Sequence, residues 1–96
     1  MSLTQLLHDK RDEILQIAAQ HGVTRIQVFG SIAREQATAT SDIDFLVDIG
    51  SQTSPWFPAG LVLDLERLLG QPIDIVTERA LRPELRESVL RDARPL

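Results

Sequence analysis

The sequence contains no cysteine. That excludes disulfides and thiolate-held metals, and makes a reducing, cytoplasmic compartment the expectation. No apolar run approaches the roughly 18 residues of a membrane-spanning helix, so no membrane role is expected. The opening stretch, Met1 to Arg11, is polar and lacks the apolar centre of a secretion signal. Repeats, low-complexity segments and candidate linkers are also missing. With 96 residues there is no room for a second core, and residues 1–96 are expected to form one domain. Positive charge is not in excess. The net charge of −4 argues against strong non-specific binding to nucleic acid. The two histidines, His8 and His21, have no second histidine at metal-ligand spacing, and His21 reads as a helix-end residue.

What is present is ordinary in bulk, 43% hydrophobic and 25% charged, but patterned along the chain. Ser2 to Gln20 reads as one helix. Leu3, Leu6, Leu7, Ile14, Ile17 and Ala18 recur at helical spacing, and Ser2 with Gln5 resembles a capping box. Val23 to Phe29 alternates as a strand, with Ile26 and Val28 on one face and Arg25 and Gln27 on the other. Gly30-Ser31 breaks it, and Ile32 to Gln36 is expected to form a short helix. After a small-residue loop, Asp42 to Ile49 reads as a second strand. Ala59 to Leu69 is an amphipathic helix ended by Gly70, Ile73 to Thr77 a third strand, and Arg82 to Asp92 a last helix with Pro83 in its first turn. The order is α-β-α-β-α-β-α, a small layered α/β fold. Trp56 and Phe57, in the proline-flanked loop, are expected to fold onto the core. Arg79, Arg82, Arg86, Arg91 and Arg94 make the C-terminus basic. A solvated helix face explains that, and so does a surface for phosphates or an acidic partner.

The chemistry is concentrated in one segment: Gly30-Ser31, ten intervening residues, then Asp42-Ile43-Asp44. The period of two in a strand puts Asp42 and Asp44 on one face, with Cα atoms roughly 6.5–7 Å apart. Paired carboxylates repel unless a cation bridges them or one takes a proton. Hard oxygen ligands of this kind suit Mg²⁺, which fills its shell with waters and substrate phosphates. Two such ions would stabilise the attacking and leaving oxygens of a phosphoryl displacement. Gly30 lets a phosphate approach the backbone, a helix starting there would aim N–H groups at it, and the Ser31 hydroxyl adds a donor. Arg34 is placed to reach a phosphate oxygen. Asp74, in an apolar strand, would join the site if its strand pairs beside the second one. It could then bind metal and take a proton from an acceptor hydroxyl. Taken singly, each feature has a structural explanation: a turn, a wet strand face, an ion pair. Their combination and order match what one phosphoryl-transfer site requires.

The segment VFGSIAREQATATSDIDFLVD resembles the signature of the DNA polymerase β-like nucleotidyltransferase superfamily. The chain as a whole is similar to the minimal nucleotidyltransferase (MNT-type) antitoxins that partner HEPN-domain toxins. The resemblance implies a palm-like α+β fold, a short mixed sheet of three or four strands flanked by helices. It implies that Gly30, Ser31, Arg34 and Ser41 bind ATP, and that Asp42, Asp44 and Asp74 hold Mg²⁺ and carry catalysis. It implies, as acceptor, a tyrosine of a HEPN ribonuclease toxin that is adenylylated and silenced. The family commonly has glycine after Arg34, where this chain has Glu35. Two alternatives stay open: an antitoxin that neutralises its partner by binding alone, through a weak or vestigial site, and an enzyme modifying a small aminoglycoside-type hydroxyl compound.

Overall fold

The computed structural model describes residues 2–34, 36 and 42–96. The first expected helix is two. Helix α1 spans Leu3–Asp9 and α2 spans Arg11–Gln20, with Lys10 off helical geometry between them (φ −102°, ψ 9°). Between Leu7 and Ile14 the chain is polar throughout. Breaking at Lys10 lets Leu3 and Leu7 reach the core independently of Ile14 and Ala18. Half of the capping box forms. The Ser2 hydroxyl accepts from the Gln5 backbone N–H, but the Gln5 side chain bonds Asp9 rather than reaching back.

Strand β1 spans Val23–Phe29, β2 spans Ile43–Ile49, helix α3 spans Ala59–Leu69 and β3 spans Ile73–Thr77. A 3-10 turn over Glu78–Ala80 leads into α4, Pro83–Asp92. A two-residue strand, β4 at Arg94–Pro95, was not expected from the sequence. The sheet order is β3-β2-β1-β4; β1 lies antiparallel to β2 and β4, and β2 parallel to β3. The result is the expected mixed sheet, with four strands. Proline in β4 is tolerated because the strand is at the edge. A register shift between Val23 and Arg25 turns Val23 to the same side as Ile26, which strict alternation would forbid.

One face of the sheet is apolar. Ile43, Phe45 and Val47 are fully buried there with Ile14, Leu61 and Leu65 of α2 and α3. Gly70 ends α3 in left-handed geometry, which turns the chain back into β3 as a parallel neighbour of β2. The opposite face bears the acids. It is covered only in part, by the 3-10 turn against β2 and by α4 against β1.

Candidate active site

On β2 alternation sets the acids apart from the main core, with Leu46 the one buried apolar residue on their side. Ile43, Phe45 and Val47 take the core side, so Asp42 and Asp44 share the other. Strand β3 pairs in parallel with Asp74 directly opposite Asp44. Neighbouring strands lie about 4.8 Å apart, so Asp74 joins the same face at close range. The conditional placement of Asp74 beside the pair is therefore realised. Asp42 and Asp74 are exposed, while Asp44 is half-buried. Burial raises the Asp44 pKa above its ordinary value. The charges of Asp74 and then Asp42 raise it further, and the Arg34 guanidinium opposes the rise. Asp44 is thus the point at which the charges of Asp74, Asp42 and Arg34 meet.

The turn after β1 is fitted to this cluster. The β1–β2 register sets Phe29 opposite Asp44, so the next residue, Gly30, lies against the Asp44 side chain. Gly30 has φ +74°, a conformation that favours glycine, and any Cβ there would collide with Asp44 Oδ2. Ile32, buried at 5% exposure, pins the turn to the core. Ser31 is half-buried beside it.

The expected helix over Ile32–Gln36 is not a helix among the described residues. Gly30 to Arg34 is a hydrogen-bonded turn. The Arg34 N–H donates to the Gly30 carbonyl (3.1 Å) and the Gln36 N–H to the Ser31 carbonyl (2.8 Å). The widening from a four- to a five-residue loop is incompatible with a regular α-helix. A helix dipole aimed at the site is therefore not part of the geometry here. Arg34 projects from this turn and pairs with Asp92 at the end of α4, at 2.7 Å. Ser41 and Glu35 lie outside the described residues. No group of three or more acidic, histidine or cysteine side chains among the described residues is gathered tightly enough to hold a metal by itself.

A model of the nucleotidyltransferase domain matches residues 11–96. The chain belongs to the nucleotidyltransferase domain family. A relative from Thermococcus cleftensis, named protein adenylyltransferase MntA, is 36% identical over 77 residues, covering 80% of this chain and 78% of its own. A solved structure provisionally described as a minimal nucleotidyltransferase is 47% identical, with a TM-score of 0.86 over all of this chain and 97% of that one. A toxin–antitoxin crystal structure with AMP-PNP shares the fold at 21% identity, with a TM-score of 0.74 over 88% of this chain and 69% of that one.

Two features of this nucleotidyltransferase were not legible beforehand. His21 is more than a helix-end residue. Its Nδ1 lies 2.6 Å from Ser54 Oγ and its Nε2 2.8 Å from Asp64 Oδ2. It ties the loop before α3 to α2 and to α3 itself. The three positions are far apart in sequence, and only the packing of α2 on α3 joins them. The Ser54 N–H is spent on the His21 carbonyl, so the trio has the character of a strut. The expectation for the loop aromatics holds for Phe57, which packs on the core, and fails for Trp56, which is 79% exposed. The pattern of adjacent aromatics gives no means of separating the two. The basic C-terminus is largely occupied internally: Arg86 pairs with Glu78, Arg91 with Glu87, and Arg94 donates to the carbonyls of Arg91 and Ala93.

Proposed function

We propose that this nucleotidyltransferase moves AMP from Mg-ATP to a tyrosine hydroxyl of a HEPN-type ribonuclease toxin and so silences it. The observation that carries the nucleotide half is the register that sets Asp74 against Asp44, beside Asp42 and under the Gly30-Ser31 turn. Three carboxylates here create a field that repels a triphosphate. The raised Asp44 pKa reflects the same crowding, after burial. A divalent cation removes both problems. The donors are hard oxygens, the type that suits Mg²⁺, which draws much of its shell from water and phosphate oxygens. Asp42 and Asp44 are its proposed holders, with Asp74 as a third. When bound, Mg²⁺ supplies positive charge against the triphosphate and the departing pyrophosphate.

The chain's own residues do the rest. The backbone at Gly30 and the Ser31 hydroxyl orient the phosphates, with Arg34 at their side and Ser41 as a further donor. Asp74, exposed at the sheet edge, takes the proton from the acceptor hydroxyl. The acceptor oxygen attacks the α-phosphorus, and the bond to the bridging oxygen of the β-phosphate breaks, releasing pyrophosphate. A protein acceptor is supported by the name of the Thermococcus relative, and a toxin by the fold shared with a toxin–antitoxin structure.

Calorimetry with ATP tests the nucleotide half. Binding is expected with Mg²⁺, and neither in chelator nor in the Asp42→Asn/Asp44→Asn double variant. Equal affinity with and without Mg²⁺ removes the metal site from the account.

A further inference from the structure

We infer that Asp92, the last residue of α4, is a positioning residue for the nucleotide. Together with Gln36 it orients the Arg34 guanidinium toward the acid cluster where the triphosphate is proposed to lie. The inference rests on that reading of the site and adds to it a residue from an element remote in sequence.

The geometry is specific. Arg34 Nη1 donates to Asp92 Oδ2 at 2.7 Å, and Arg34 Nε lies 3.3 Å from Gln36 Oε1. A guanidinium is planar, so fixing two of its nitrogens fixes the plane and the direction of the remaining N–H groups. An unrestrained arginine on a turn would hold no such direction. The partner is itself held. The Asp92 side chain is 20% exposed, against 46% for Arg34. A carboxylate in the last turn of a helix opposes the helix dipole, so Asp92 sits where an acid is intrinsically disfavoured and the Arg34 pair offsets that cost. The pair also ties the Gly30–Arg34 turn to α4, one of the two partial covers of the acid face. The turn that carries Arg34 is itself seated on the cluster, since Gly30 lies against the Asp44 side chain and its carbonyl accepts from the Arg34 N–H at 3.1 Å.

The test is Mg-ATP affinity, by calorimetry on the full chain, for wild type, Asp92→Asn, Arg34→Gln, the double variant and Asp92→Glu, with thermal melts of each. Asp92→Asn is expected to weaken binding roughly three- to tenfold, the scale of a charge-assisted contact partly lost. It should have no further effect in the Arg34→Gln background, because it acts through that residue. Asp92→Glu, which keeps the charge, should recover most of the affinity. A purely structural role would lower the melting temperature and leave affinity alone. Unchanged affinity in Asp92→Asn, tighter binding, or additivity with Arg34→Gln overturns the inference while the nucleotide site stands. A wild-type chain that does not bind Mg-ATP overturns both.

Discussion

Asp44 is the residue at which packing and charge conflict most. It is half-buried, faces Asp74 across the β2–β3 ladder, and lies against Gly30 so closely that a side chain there would displace its carboxylate. Its pKa is raised above the ordinary 3.8, by burial first and then by Asp74 and Asp42. In the unfolded chain the group loses its proton near the ordinary value. In the fold it keeps the proton to higher pH. The folded state therefore binds more protons over that interval, and stability from this group is complete below 3.8 and is lost as pH rises through the folded value. Without metal, Asp44→Asn should melt higher than wild type at pH 7, by a few degrees since exposure screens the repulsion, and the gain should vanish at the acid end. Melts in chelator across pH check this. A variant that melts lower at neutral pH would mean that the carboxylate is a structural anchor. The Asp42/Asp44 pair was legible because a strand has period two. Asp74 was legible only conditionally, since the sequence does not state strand order. The fit of Gly30 to Asp44 depends on the β1–β2 register and left no mark in the sequence.

At the scale of elements, strands β1 and β3 and helix α3 lie where periodicity and Gly70 put them, because each has an apolar face and a clear stop. The failures share a cause: tertiary contacts override local pattern. Ile32 is drawn into the core, and the segment expected as a helix becomes a tight turn. The helix break at Lys10 and the edge strand β4 likewise serve packing on β1 and the core. His21 acts at this scale. It precedes β1, whereas the acids lie beside its far end, some seven residues and roughly 20 Å away. His21→Ala should therefore cost about 1–2 kcal/mol of stability, by unpairing Ser54 and Asp64, and leave Mg-ATP affinity unchanged. Denaturant unfolding followed by far-ultraviolet circular dichroism, with calorimetry alongside, checks both halves. Unchanged stability would remove the strut; lost affinity would tie this end of the fold to the site.

For the whole molecule, the sheet order β3-β2-β1-β4 sets the acids and the glycine turn on one face, and the helices α2 and α3 fill the other. The acid face is covered only in part, and two of its three acids are exposed. An acceptor held there by its hydroxyl alone would forgo most of the roughly 7–11 kcal/mol that positioning supplies, whereas a docked protein would recover it. Since Arg86, Arg91 and Arg94 are engaged within the chain, the basic tail offers less to a partner than its composition suggests. Arg79 and Arg82 remain without an ion-pair partner among the described residues, and Trp56 is the large exposed aromatic. The decisive measurement is the intact mass of a HEPN-type partner after incubation with this protein and Mg-ATP. The account predicts a gain of one or more AMP units on a tyrosine, absent with the Asp42→Asn/Asp44→Asn variant. A partner that stays unmodified, yet is inhibited in a stable complex, would contradict it and show a protein that works by binding alone.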